Sequence, residues 1–70
     1  IMEFNLEGRP FIELNKLLKF LGWCESGAKA SQVITEELVK LNGNTETRKR
    51  CKLRSGDTVT FEGNQVIVLT

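Results

Sequence analysis

Leu14, Leu17, Leu18 and Leu21 recur at the i, i+3, i+4, i+7 spacing of one helix face. In a chain of 70 residues that stripe must be covered by whatever else the same short chain can build. A chain this size supports one modest core and no deep, closed pocket. Phe11 extends the stripe backwards by three residues. Pro10 suits the first helical position, where its missing N–H would have no partner anyway. Gly22 marks the stop. The stripe predicts a helix from about Pro10 to Leu21, with Lys16 and Lys19 together on its outer side.

The flanks supply the cover. Met2, Phe4 and Leu6 alternate with Glu3, Asn5 and Glu7, the two-residue period of a half-buried strand. After the short connection Trp23-Cys24-Glu25, Ser26 is a good N-cap for a second helix. Ala28, Ala30, Val33 and Ile34 give that helix a weaker apolar face, and it should end near Glu36 or Glu37 without the usual glycine. Residues 38–41 then lead into Asn42-Gly43, the strongest short hairpin signal a sequence offers, with 44–47 as the return. Ser55-Gly56-Asp57 is turn chemistry, and Thr58–Phe61 and Gln65–Leu69 read as two strands joined at Gly63-Asn64. The expected fold is α+β: two antiparallel-packed helices on one face of a small antiparallel sheet built from hairpins plus an N-terminal strand. Residues 1–70 are expected to form a single domain, with Met2 as the natural start.

Several function classes lack their residues. The 40% hydrophobic and 27% charged content is globular, which sets disorder aside. There is no histidine, the usual neutral-pH base and the commonest metal ligand. Two cysteines cannot supply the four ligands of a structural zinc site, and Cys24 and Cys51 are too far apart for a Cys-x-x-Cys pair. No Walker or dinucleotide glycine loop is present. Cys24, Cys51, Ser26, Ser31 and Ser55 have no histidine to activate them, and Glu36 and Glu37 point in different directions as adjacent helix residues. Cys51 sits among cations that could lower its pKa, although a small buried or incidental thiol is the simpler reading. No enzyme activity, cofactor or metal is expected. So few cysteines fit a reducing, cytoplasmic setting. No apolar stretch spans a membrane and no signal peptide is visible.

The net charge of +1 conceals a strong asymmetry. Arg48, Lys49, Arg50, Lys52 and Arg54 hold five of the ten basic residues with no acid among them. The other 63 residues carry five positive and nine negative charges, a net of −4. As a strand, this segment would place Arg48, Arg50, Lys52 and Arg54 on one face, a row of about 20 Å at about 3.3 Å per residue. Such a row could contact several phosphates; four would give a salt slope of about −3. The plainer alternative is a solvated edge that discourages strand-on-strand aggregation. Lys16, Lys19 and Lys29 could extend the patch, and Ser26 with the free N–H groups of the second helix could hold a phosphate. Phe20 and Trp23 lie off the main stripe, where such aromatics stack on bases or, more commonly, seal the bottom of a small core.

The order of these pieces resembles the RNA-binding domain named after small-subunit ribosomal protein S-four, the alpha-L motif. Leu14, Leu17, Leu18 and Gly22 match its leucine-rich helix; Ser26, Ala30 and Ile34 match its second helix. Val39, Leu41, Asn42 and Gly43 match its hairpin, and Gly56-Asp57 with Val59 its end. The run from Glu46 to Lys52 is closest to the short stand-alone YbcJ-like group. Two departures stand out: Gly27 where the family usually has arginine, which makes Lys29 the substitute phosphate contact, and Glu37 where it often has glycine. The resemblance implies a shallow basic surface that binds structured RNA, commonly ribosomal RNA or tRNA, through Lys16, Lys19, Ser26, Lys29, Arg48, Lys49, Arg50 and Lys52. It implies a monomer associated with the ribosome or its assembly and with no membrane. The rival readings are a protein-interaction module docking its cationic strand on an acidic partner, and a thiol-active protein using Cys51.

Overall fold

The computed structural model describes residues 2–70. Nine elements follow in chain order: β1 (Met2–Asn5), β2 (Ile12–Glu13), α1 (Leu14–Phe20), α2 (Gly27–Thr35), β3 (Val39–Leu41), β4 (Asn44–Thr45), β5 (Lys52–Leu53), β6 (Thr58–Phe61) and β7 (Asn64–Leu69). A five-stranded sheet runs in the order β1-β7-β6-β3-β4, and β2 and β5 form a separate two-stranded ribbon. Leu14, Leu17 and Leu18 of α1 and Ala30, Val33 and Ile34 of α2 share one core with Phe4, Val39, Val59, Phe61, Val66 and Val68 of the sheet. The expected α+β fold is present.

Three local expectations are corrected. The first helix starts at Leu14, so Pro10 lies outside it and Phe11 is half-exposed. The cause is Ile12 and Glu13, which pair antiparallel with Leu53 and Lys52; Ile12 takes the buried place. The sheet is mixed, because β1 runs parallel to β7, with Met2 beside Val66 and Phe4 beside Val68. Strand alternation fixes which side chains face inward and says nothing about direction. The last hairpin turns at Glu62-Gly63, since Phe61 pairs with Asn64. Both turn residues have positive φ, 49° and 79°. That turn takes glycine at its second place, as Asn42-Gly43 does.

Both helices end in the same backbone motif. At α1 the Gly22 N–H donates to the Lys19 carbonyl (3.0 Å) and the Trp23 N–H to that of Leu18 (3.1 Å). At α2 the Glu37 N–H donates to the Ile34 carbonyl and the Leu38 N–H to that of Val33, both at 3.1 Å. This pairing needs a left-handed residue just past the helix. Gly22 supplies it with φ +79°, and Glu37 adopts it with φ +65° although it carries a side chain. Glu37→Gly should therefore raise the unfolding free energy by about 0.5–1 kcal/mol, the relieved strain less the extra entropy of glycine in the unfolded chain. Urea unfolding of the two proteins measures it; a loss of stability would contradict this reading of the α2 terminus.

Candidate nucleic-acid interface

The basic segment is a strand only at Lys52–Leu53. The extended row expected over residues 48–54 is replaced by a turn in which the Cys51 N–H donates to the Arg48 carbonyl (3.1 Å). Glu46 draws the chain in: its carboxylate accepts the Arg48 backbone N–H at 2.9 Å and two guanidinium N–H groups at 3.0 and 3.2 Å.

The turn is then seated on the start of α1. Glu13, the N-cap residue, offers no side-chain cap. The Leu14 N–H donates instead to the Cys51 carbonyl (2.9 Å) and the Asn15 N–H to the Lys49 carbonyl (3.0 Å). Two orphan donors of the helix start are satisfied by the basic turn itself. Leu53 is fully buried and anchors the next residue pair. Beyond it, Asp57 accepts the Arg54 N–H at 2.8 Å, and the Asn42 amide donates to Asp57 at 3.1 Å. Asn42 Oδ1 in turn accepts the Thr58 N–H at 2.9 Å.

With the backbone held at both ends, Arg48, Arg50, Cys51, Lys52 and Arg54 line one shallow concavity of about 500 Å³. The strand is gone, yet the same four cations still share a surface. They are not equivalent. Arg48 is paired with Glu46, whose carboxyl is pulled down to about 2, first by the guanidinium hydrogen bonds and then by the Arg48 backbone N–H. Arg48 itself is pushed up by the same contact. Arg50, Lys52 and Arg54 make no ion pair among the described residues.

The Cys51 thiol fits the simpler reading of a half-buried thiol, and its cationic neighbours do not lower its pKa. Its Sγ lies 3.7 Å from Arg48 Nη2. Burial nevertheless raises its pKa, Glu46 raises it further, and the opposing influence of Arg48 does not prevail. The thiolate needed for reactivity at neutral pH is disfavoured.

A second groove of about 410 Å³ is lined by Arg9, Phe11, Ile12, Glu13, Lys16 and Phe20. Lys52 Nζ sits 5.0 Å from the centroid of the Phe11 ring, so Lys52 and Phe11 link the two hollows. Lys16 pairs with Glu13 across 3.3 Å, on the exposed side of α1. Lys49 enters through its carbonyl, with its side chain in solvent. Ser26 Oγ caps α2 by accepting the Lys29 N–H at 3.1 Å. Lys19 lies in the last turn of α1, and like Ser26 and Lys29 it lines neither hollow. The structure thus gathers Arg48, Arg50 and Lys52 with Arg54, places Lys16 next door, and leaves Lys19, Ser26 and Lys29 apart.

The aromatic pair divides. Trp23 packs on the core and stacks on Phe61 at 6.5 Å, as expected of a core seal. Phe20 is 71% exposed and seals nothing. Arg9 and Phe11 are the residues that spacing missed. Arg9 is isolated in the sequence, and Phe11 fits the helical stripe by count alone. The pairing of β2 with β5 brings Phe11 to Lys52, and no local pattern encodes it.

Two short helices over a mixed sheet, with a cationic turn capping the first of them, define an α+β module of the alpha-L type. The S4 domain family profile matches residues 4–69, and the chain belongs to that family. YbcJ proteins of Escherichia coli (strain K12) and Shigella flexneri are each 52% identical over 66 residues, covering 94% of this chain and 94% of theirs. The solution structure of YbcJ from E. coli, described as revealing an alpha-L motif involved in RNA binding, superimposes with a TM-score of 0.74 at 50% identity. It covers 97% of this chain and 86% of that one.

The Arg48–Glu46 contact is testable by pH. The Glu46 carboxyl should titrate at about 2 by NMR, and Arg48→Ala should return it towards 4.5. A carboxyl depressed by folding stabilises above its unfolded-state value, and that contribution disappears as pH falls through the folded-state value. The stability difference between wild type and Arg48→Ala should be constant above about 4.5 and vanish below about 2. A Glu46 midpoint unmoved by Arg48→Ala would contradict the pairing.

Proposed function

We propose that the protein binds structured RNA through the basic turn and the surface around it. The observation that carries this reading is the convergence of Arg48, Arg50, Lys52 and Arg54 on one open concavity, three of them with side chains that make no ion pair among the described residues. Membership of the S4 domain family and the likeness to a YbcJ structure described as involved in RNA binding support it. The surface is shallow, rigid and cationic. A-form RNA hides its base edges in a deep groove and offers phosphates and 2′-OH groups. A small fixed surface of this kind reads such a shape and cannot follow a flexible single strand. Folded RNA should therefore bind better than unpaired strands of the same length.

Arg50, Lys52 and Arg54 form the centre of the contact, flanked by Arg48, Lys49 and Lys16. Lys19, Ser26 and Lys29 are outlying contacts. Ribosomal RNA or tRNA is the target class, with a place in ribosome assembly or translation, and the protein acts as a cytoplasmic monomer and a single RNA-binding domain over residues 1–70. No helix among the described residues is long and apolar enough to cross a membrane.

Three unpaired cations set the salt dependence. With about 0.7–0.9 per neutralised phosphate, the log–log slope of affinity against salt should lie between about −2 and −3. Replacing Arg50, Lys52 and Arg54 together with alanine should flatten that slope, abolish binding and leave stability within about 0.5 kcal/mol, since all three side chains are exposed. Filter binding across a salt series reads the first and thermal melting the second. A folded triple variant with wild-type affinity would overturn the assignment. Cys51→Ser should leave affinity unchanged.

A further inference from the structure

Phe20 is 71% exposed, whereas Phe4 and Phe61 are 5% and 4% exposed. Its ring is nevertheless fixed. It meets Phe4 edge-on, with centroids 5.2 Å apart and planes at 80°. The Arg9 guanidinium lies 5.5 Å from the Phe4 centroid. Arg9 is itself tethered, donating from Nε to the Leu6 carbonyl at 2.8 Å. An exposed phenyl held in place and bordered by cations is a poor design for a soluble surface and a good one for stacking a planar anion-bearing ligand. Every nucleobase has a π-face, and stacking on an aromatic side chain is tolerant of sequence.

The groove beside Phe20 contains Arg9 and Lys16, and through Phe11 it reaches Lys52 of the basic concavity. It also contains Glu13, paired with Lys16 at 3.3 Å. With the Lys16 side chain 71% exposed, the pair is worth little and opens readily. The Glu13 carboxylate repels a phosphate placed against it. It thereby favours one orientation, base towards the ring and phosphates towards Arg9 and Lys16. Bases inside a duplex are already stacked on each other, so the ligand must be a nucleotide outside the helix.

We propose that this groove is a subsite for one unpaired nucleotide of a folded RNA, its base stacked on Phe20 and its phosphates beside Arg9 and Lys16, while the adjoining stem lies along Arg50, Lys52 and Arg54. This rests on the RNA-binding reading. It adds that a bulge or loop nucleotide next to a stem is part of what is recognised.

The test uses a short RNA hairpin with one bulged 2-aminopurine and the same hairpin fully paired. The wild-type protein should bind the bulged hairpin about tenfold more tightly and quench its fluorescence. Phe20→Leu keeps an apolar contact on Phe4 and removes the ring; it should lose the quenching and the preference while binding the paired hairpin as before. Phe20→Tyr should retain both. Equal wild-type affinity for the two hairpins without quenching, or a Phe20→Leu variant that quenches normally, overturns the subsite and leaves the RNA-binding reading standing. Wild-type binding to neither hairpin at low salt overturns both.

Discussion

The first turn of α1 lacks a side-chain cap, and its Leu14 and Asn15 N–H groups are taken by the carbonyls of Cys51 and Lys49. Much of the molecule depends on that exchange. It joins the start of one helix to a turn more than thirty residues away in sequence, and it is reinforced by Ile12 and Glu13 pairing with Leu53 and Lys52. Because the backbone faces the helix, the charged side chains of the turn point to solvent. Glu46 bonded to Arg48 at one end, and buried Leu53 with Asp57 fixed by Asn42 at the other, keep the segment from drifting. A run of like charges that would otherwise repel and fray is held as a surface.

That surface is preorganised at a modest electrostatic cost. Glu46 offsets the charge of Arg48 inside the turn and shapes the backbone there, leaving Arg50, Lys52 and Arg54 to present uncompensated charge. Elsewhere the acids predominate. Glu36 and Glu37 lie past the end of α2 and Glu62 at the β6–β7 turn, all exposed. The overall charge of +1 is therefore a poor guide to what a polyanion meets. A polyanion is attracted by the local field at the turn and repelled at the acidic positions, whatever the overall charge.

Much of this was legible in the sequence wherever a local rule applies. The α1 stripe, Gly22, the Ser26 cap and the Asn42-Gly43 hairpin each act within a few residues, and each is where spacing puts it. What was not legible depends on distant partners. Pro10 and Phe11 satisfy helical spacing, but β5 claims Ile12 and Glu13 for a strand pair. Residues 48–54 alternate like a strand, but Glu46 and the α1 N-terminus close them into a turn. The direction of β1 leaves no mark in its alternation. Phe20 lies off the stripe, where spacing leaves base stacking and a core seal both open and favours the seal; its exposure is set by packing that no local pattern encodes.

The central claim is that the basic turn, fixed on the start of α1, is the face that meets RNA. Amide chemical-shift mapping during titration with a folded RNA tests it in one experiment. The largest shifts should fall on Arg50–Arg54 and on the Leu14 and Asn15 amides bonded to that turn. Shifts centred instead on Glu36, Glu37 and the Glu62-Gly63 turn, with residues 48–54 unmoved, would contradict the account.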